Sequence, residues 1–179
     1  MAKKVLILAA SPRKGGNSDL LCEQFTVGAT EAGHQVERIF LRDKRINYCT
    51  ACGACQRNGG QCIQQDDMTE VLDKMIRANV IVLATPVYFY AMTGQMKTLI
   101  DRTYARYTEI THKELYFFMT AAVSSKELLE RTLEGFRGFS SCLGGAKEKG
   151  VIYGTGAWEM GDIKGSPALA LAYEMGKKA

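Results

Sequence analysis

The sequence lacks any apolar run of the roughly 18 residues that a membrane-spanning helix needs, so no transmembrane segment is expected. It also lacks a stretch in which Lys and Arg gather on one face between aromatic residues, which argues against nucleic-acid binding despite a net charge of +4. No small-residue cleavage pattern follows the N-terminal apolar residues, so no signal peptide is predicted and we expect a cytoplasmic protein. Neither an internal repeat nor a linker divides the 179 residues, which predicts a single domain over residues 1–179.

Two common phosphate-binding signatures are also missing. The absence of GxxxxGK[ST] excludes a Walker A loop, and the absence of GxGxxG excludes the dinucleotide fingerprint. A different glycine-containing turn, residues 11–18, follows the apolar residues 5–8 and precedes a helical pattern. A strand, a flexible turn and a capped helix N-terminus together favour an anion, although an ordinary capped turn fits the same residues.

The turn holds the hydrogen-bond donors that a phosphate monoester requires. Its glycines let the backbone curl around an anion, its hydroxyl and amide side chains donate hydrogen bonds, and its arginine adds a charged fork. The candidate phosphate-binding residues are Ser11, Arg13, Gly16, Asn17 and Ser18.

Hydrophobic periodicity predicts strands alternating with helices along the whole chain. The predicted strands are residues 5–8, 35–41, 79–84, 114–122 and 149–154, and the predicted helices are 19–32, 66–76, 93–104, 124–143 and 167–176. This order indicates a three-layer α/β fold, with helices on both faces of a five-stranded parallel sheet. We expect the flavodoxin-like strand order 2-1-3-4-5, which puts the switch point between the first and third strands.

An apolar, aromatic loop follows the third predicted strand, and Pro86, Val87, Tyr88 and Phe89 are its candidate ligand-binding residues. Ligands of such sheets bind at the carboxyl ends of the strands beside the switch point, where this loop and the phosphate-type turn both lie. FMN has one phosphate, a polar ribityl chain and a planar isoalloxazine, so the two loops together suit it. Packing in the core or at a subunit interface is the alternative for the aromatic residues.

Three stretches, residues 11–18, 85–89 and 95–102, resemble the NADPH-dependent FMN reductase family. The resemblance implies a flavodoxin-like domain in which the first loop binds the FMN phosphate and residues 86–89 lie along the isoalloxazine. It implies NAD(P)H as the electron donor and a quinone, flavin or similar small molecule as the acceptor. It also implies a homodimer or homotetramer, with Tyr104 and Tyr107 as candidate contact residues. No catalytic side chain is predicted, because the flavin would carry the chemistry.

Four of the six cysteines fall in one irregular loop, residues 43–65, with the spacing Cys49-x2-Cys52-x2-Cys55-x6-Cys62. Three thiolates at two-residue gaps suit an iron–sulfur cluster, whereas zinc sites usually separate two CxxC pairs by a longer segment. The pattern resembles the iron–sulfur flavoproteins, a branch of the same family, which implies a [4Fe–4S] cluster and electron exchange with a ferredoxin-like protein.

Three functions therefore remain open. The first is an FMN-dependent NAD(P)H oxidoreductase, the second is an iron–sulfur flavoprotein that carries electrons between protein partners, and the third is a non-enzymatic flavodoxin-like module with a zinc-binding loop. A further loop, residues 154–162, contains the only tryptophan and follows the fifth predicted strand. It either caps a neighbouring subunit's flavin or the substrate site, or packs as a C-terminal loop.

Overall fold

The computed structural model describes all 179 residues, from Met1 to Ala179. The strands are β1 (Lys4–Ala9), β2 (Gln35–Phe40), β3 (Val80–Tyr88), β4 (Ala91–Met92), β5 (Glu114–Thr120) and β6 (Lys147–Gly154). The α-helices are α1 (Asn17–Glu31), α2 (Ala54–Arg57), α3 (Met68–Arg77), α4 (Gly94–Arg102), α5 (Glu130–Ser141) and α6 (Ala168–Lys177). Short 3-10 turns occupy Leu41–Asp43, Thr103–Ala105, Tyr107–Glu109, Lys126–Leu129 and Asp162–Gly165.

Five parallel strands form the sheet in the order β2-β1-β3-β5-β6, which is the predicted order 2-1-3-4-5 when β4 is left out. The prediction of a purely parallel five-stranded sheet was wrong in one respect, because β3 continues to Tyr88 and folds back onto the antiparallel strand β4. The two residues of this hairpin turn, Phe89 and Tyr90, have φ values of 49° and 60°. Turns of this kind usually contain Asn or Gly, so the aromatic sequence gave no hairpin signal.

The hydrophobic core has two parts, one on each face of the sheet. Alternating side chains of β1 divide between them: Leu6 and Leu8 pack toward α3, α4 and α5, whereas Val5 and Ile7 pack toward α1 and α6. The strands are therefore buried on both faces, which confirms the three-layer arrangement. None of the helices has the length and apolar character that crossing a membrane requires.

Helices α1 and α6 approach so closely that only glycine fits at two positions of their contact. A Cβ atom on Gly28 would lie 2.1 Å from the carbonyl oxygen of Tyr173, and one on Gly176 would lie 2.2 Å from that of Phe25. Such contacts are with backbone, which cannot rotate away. The pairing with α6 therefore fixes the position of α1, whose N-terminus follows the phosphate-type turn.

Gly28→Ala should lower the free energy of unfolding by about 1–3 kcal/mol, because the added methyl group must push the two helix backbones apart. Urea denaturation followed by circular dichroism measures this change. Gly138→Ala on α5 is the matched control, since a Cβ there has no neighbour within 4 Å. The control should leave stability unchanged or raise it by up to about 1 kcal/mol. Equal effects at the two glycines would contradict the close-contact interpretation.

Candidate functional site

The carboxyl ends of β1 and β3 meet at a crevice on the predicted edge of the sheet. Eight of the nine predicted cofactor-binding residues line one cavity there: Ser11, Arg13, Gly16, Asn17, Ser18, Pro86, Val87 and Tyr88. Residues that follow β5 and β6 complete the lining. The remaining predicted residue, Phe89, lies outside this cavity at the hairpin tip with its side chain fully exposed.

The turn between β1 and α1 has the features of an anion site. Gly16 precedes the first residue of α1, and no side chain caps the helix, so its first N–H groups lack a side-chain partner. An anion at this position would meet those donors and the positive end of the helix dipole. A Cβ atom on Gly16 would lie 3.1 Å from Oγ of Ser11 and 3.2 Å from the carbonyl oxygen of Arg13, which keeps the cradle tight.

A buried ion pair supports the turn from below. The Gly15 N–H donates to Asp19 Oδ2 at 2.9 Å, and Arg42 Nη1 donates to the same oxygen at 2.8 Å and to the carbonyl of Ser11 at 3.2 Å. Burial raises the pKa of Asp19, and the Gly15 N–H and the charge of Arg42 partly offset this effect. Sequence reasoning missed this role of Arg42, although its place directly after β2, the strand beside β1, points to the same sheet edge.

Three threonines that the sequence did not single out join the walls of the crevice. Thr120, the last residue of β5, shares a buried hydrogen bond of 2.7 Å between its Oγ1 and Oγ of Ser18. Thr93 donates from Oγ1 to the carbonyl of Ala10 at 3.2 Å, and its N–H donates to Oγ1 of Thr85 at 3.0 Å. These bonds connect the phosphate-type turn with the end of β5, and they connect Ala10, just before the turn, with β3 and the residue after β4.

The segment Ala157–Ile163, here called the late loop, forms a third wall. Asn17 donates from Nδ2 to the carbonyl of Glu159 at 2.8 Å, and its Oδ1 accepts from the N–H groups of Gly161 at 3.0 Å and Ile163 at 3.3 Å. Arg13 Nη1 donates to the carbonyl of Trp158 at 3.1 Å. Both functional ends of the Asn17 amide are thus directed to the late loop.

The four loop cysteines line a second, mostly apolar cavity of about 830 Å³. It lies between the cysteine-rich loop and the C-terminal ends of α4 and α5, and it also contains Tyr104 and Tyr107. No group of three or more His, Cys, Asp or Glu side chains is arranged to hold a metal ion. The structure therefore places Cys49, Cys52, Cys55 and Cys62 around one space without assembling the predicted ligand set, and this arrangement does not fit a [4Fe–4S] cluster or zinc as it stands.

Arg102, at the end of α4, holds the two ends of the cysteine-rich loop together. Its guanidinium contacts both carboxylate oxygens of Asp66, at 2.6 and 3.0 Å, and donates to the carbonyl of Asn47 at 2.7 Å. A further contact of 3.5 Å joins Arg102 Nη2 to Sγ of Cys62. The side chains of Arg102 and Asp66 are 2% and 0% exposed, so this ion pair is fully buried.

Comparison with known proteins shows the family to which the chain is similar. A sequence model of the family described as NADPH-dependent FMN reductase matches residues 3–141. The chain is 39% identical to an iron–sulfur flavoprotein of Archaeoglobus fulgidus over 99 aligned residues. These residues make up 55% of this chain and 44% of that protein. It is 26% identical over 108 residues to FMN-dependent NADH:quinone oxidoreductase 2 of Pseudomonas fluorescens. This alignment covers 55% of this chain and 54% of that protein. The chain spans about half the length of the curated relatives it matches.

Solved structures share the fold over nearly the whole chain. An NAD(P)H:quinone oxidoreductase from Methanothermobacter marburgensis superposes with a TM-score of 0.82 at 19% identity, covering 99% of this chain and 96% of that one. An azoreductase from Bacillus anthracis superposes with a TM-score of 0.78 at 17% identity, covering both chains completely. At these identities the likeness establishes the flavodoxin-like α/β fold.

Proposed function

Because the chain belongs to the NADPH-dependent FMN reductase family, we propose that it is an FMN-binding oxidoreductase. It takes a hydride from NAD(P)H and passes electrons to a quinone, a flavin or a similar small acceptor. The observation that carries the proposal is the single crevice that the phosphate-type turn and the loop after β3 line together. An uncapped helix N-terminus and a glycine cradle fit a phosphate monoester, which supports FMN as the ligand.

Each wall of the crevice has a distinct part in this function. Arg13 and the first N–H groups of α1 hold the phosphate, with the Ser11 and Ser18 hydroxyls beside them, while Arg42 balances the charge of Asp19 beneath it. The segment Pro86–Tyr88, which lines the crevice, would lie along the ring and shield one of its faces from water. The bound flavin supplies the hydride-accepting chemistry, so the protein contributes position and hydrogen bonds.

Spectroscopy and turnover test this proposal directly. Purified protein supplied with FMN should retain it through gel filtration with shifted flavin absorption bands. The loaded protein should then oxidise NADH or NADPH in the presence of a quinone, free flavin or an azo dye. Failure to retain FMN would overturn the proposal, and retention without turnover of any of these acceptors would leave a flavin protein that is not a small-molecule reductase.

The second candidate is an iron–sulfur flavoprotein that exchanges electrons with a ferredoxin-like protein. Two observations favour it: relatives bear the name iron–sulfur flavoprotein, and the four loop cysteines line one cavity. The thiol-bearing loop would have to rearrange, since its present arrangement forms no ligand group. Iron, sulfide and zinc analysis of protein purified without oxygen separates the outcomes. About four irons and four sulfides per chain support the cluster. One zinc per chain supports the metal-binding module, and protein without iron, sulfide or zinc favours a reductase that uses only the flavin.

We also propose that the protein assembles as a homodimer or homotetramer through the surface around Tyr104 and Tyr107. Tyr104 is half exposed, and its ring stacks on that of Tyr107 with centroids 6.3 Å apart. Analytical ultracentrifugation tests this assembly. Tyr104→Ser should shift the protein toward the monomer, and a wild-type protein that sediments as a monomer at micromolar concentration would contradict the proposal.

A further inference from the structure

The late loop closes the crevice at the end where the phosphate-type turn lies. Trp158 and Met160 line the cavity, while Ala157 and Ile163 are buried at the two ends of the loop. The loop carbonyls of Trp158 and Glu159 lie within hydrogen-bond distance of Arg13 and Asn17. The backbone of the late loop is therefore in direct contact with the residues beside which a phosphate would lie.

Asn17 has the geometry of an anchor for this loop. Its side chain is almost fully buried, and it makes three hydrogen bonds, all to backbone groups between Glu159 and Ile163. An amide that only bound phosphate would direct its Nδ2 group into the crevice. Asn17 instead directs both ends of its amide to the late loop, which it holds in contact with the turn.

The position of this wall has a consequence for the length of the ligand. The cavity in the crevice measures only about 90 Å³, whereas ligand pockets usually measure roughly 300–1,000 Å³. A flavin whose phosphate lies at the N-terminus of α1 would therefore have to extend out of this cavity. A monoester would end beside Arg13 and Asn17, which contact the late loop, so the second phosphate and adenosine of a dinucleotide would meet that loop.

We propose that the late loop makes the site selective for flavin mononucleotide over flavin adenine dinucleotide, and that Asn17 is the residue that positions it. This inference rests on the proposed flavin site and adds the chemical limit of its ligand: a terminal phosphate monoester. Trp158, on the cavity wall, is the side chain that a longer ligand would have to displace.

Flavin titrations of the full-length protein and of Asn17→Ala test the inference. Wild-type protein should prefer FMN over FAD, and Asn17→Ala should reduce that preference by about tenfold or more, because the loop loses the hydrogen bonds that hold it. The fluorescence of Trp158, the only tryptophan, supplies a second readout without added flavin. Its anisotropy should fall in Asn17→Ala, because the freed loop moves faster than the rest of the protein.

A second variant and a control keep the test decisive if Asn17→Ala folds poorly. Trp158→Ala widens the wall without removing any of these backbone hydrogen bonds, so it should raise the affinity for FAD relative to that for FMN. Leu171→Ala, which trims an exposed side chain on α6, should change neither affinity.

The possible outcomes separate this inference from the function on which it rests. A wild-type protein that binds no flavin contradicts the proposed function itself. A wild-type protein that binds FMN and FAD equally contradicts only the late-loop inference. The late-loop inference is also contradicted if Asn17→Ala weakens the binding of FMN and FAD equally and leaves the anisotropy of Trp158 unchanged. Asn17 would then be a direct phosphate ligand.

Discussion

Replacing Ser18 with aspartate should weaken FMN binding on the order of 100-fold or more. Ser18 is almost fully buried in the first turn of α1, and its hydroxyl bonds to Thr120. A carboxylate at this position would occupy the anion site, take up the helix N–H donors and repel the phosphate. Loss of charge-assisted hydrogen bonds, at about 1.5–3 kcal/mol each, is enough for a change of this size. Fluorescence titration with FMN measures it.

Ser141→Asp is the matched control, because it adds the same charge to an exposed serine at the end of α5. Its affinity for FMN should equal that of the wild type. Ser18→Ala should keep most of the affinity, since it leaves the N–H donors of the helix free. Full retention of FMN by a correctly folded Ser18→Asp variant would show that the phosphate binds elsewhere.

Arg102→Met should lower the free energy of unfolding by about 3–5 kcal/mol, because it leaves the carboxylate of Asp66 buried without its cation. The variant also loses the bond to the Asn47 carbonyl, so the two ends of the cysteine-rich loop separate. Urea denaturation measures the stability, and limited proteolysis should detect faster cleavage within residues 43–65. The adjacent exposed pair Lys97 and Asp101 on α4 provides the control.

Lys97→Met should change stability by less than about 0.5 kcal/mol, because both side chains of that pair are largely exposed to solvent. The double variant Arg102→Met, Asp66→Leu should regain much of the loss, since no unpaired charge remains. If Arg102→Met were as mild as Lys97→Met, the buried pair would not be what holds the loop.

The same ion pair predicts the behaviour of the protein in acid. Burial alone raises the pKa of Asp66, but Arg102 and the N–H groups of Asn47 and Met68 outweigh it and hold the pKa below its usual range. A carboxyl group with a lowered pKa in the folded state stabilises the protein above its unfolded pKa of about 3.9. That contribution is lost as the pH falls through the lower, folded-state pKa. Asp66→Asn should therefore flatten the acid limb of a plot of stability against pH.

The sequence was sufficient for the arrangement of the strands and helices because apolar periodicity reflects burial on both faces of the sheet. Val5 and Ile7 face one core and Leu6 and Leu8 the other, and this alternation marks a central parallel strand. It was insufficient for β4, because Phe89 and Tyr90 adopt left-handed conformations that a two-residue hairpin turn requires and that aromatic residues do not favour.

The candidate site was predictable where a local pattern placed its residues and unpredictable where distant segments meet. The turn around Gly16 and the segment Pro86–Tyr88 follow strands at the switch point, so topology alone brings them together. The bonds of Asn17 to the late loop join residues more than 140 positions apart, and no local pattern encodes them. Asn17 was therefore predicted as a phosphate ligand from its position in the turn, and that role stays a prediction.

The crevice draws its walls from two separate parts of the chain. The family match ends at residue 141, so the turn and the loop after β3 belong to the shared part, whereas β6, the late loop and α6 follow it. Replacements confined to the late loop would reshape the third wall and leave α6 in place, whose close contact with α1 holds the anion cradle. The proposed ligand preference and flavin binding would then depend on separate parts of the chain, and we expect chimaeras that exchange only residues 157–163 to change the first and keep the second.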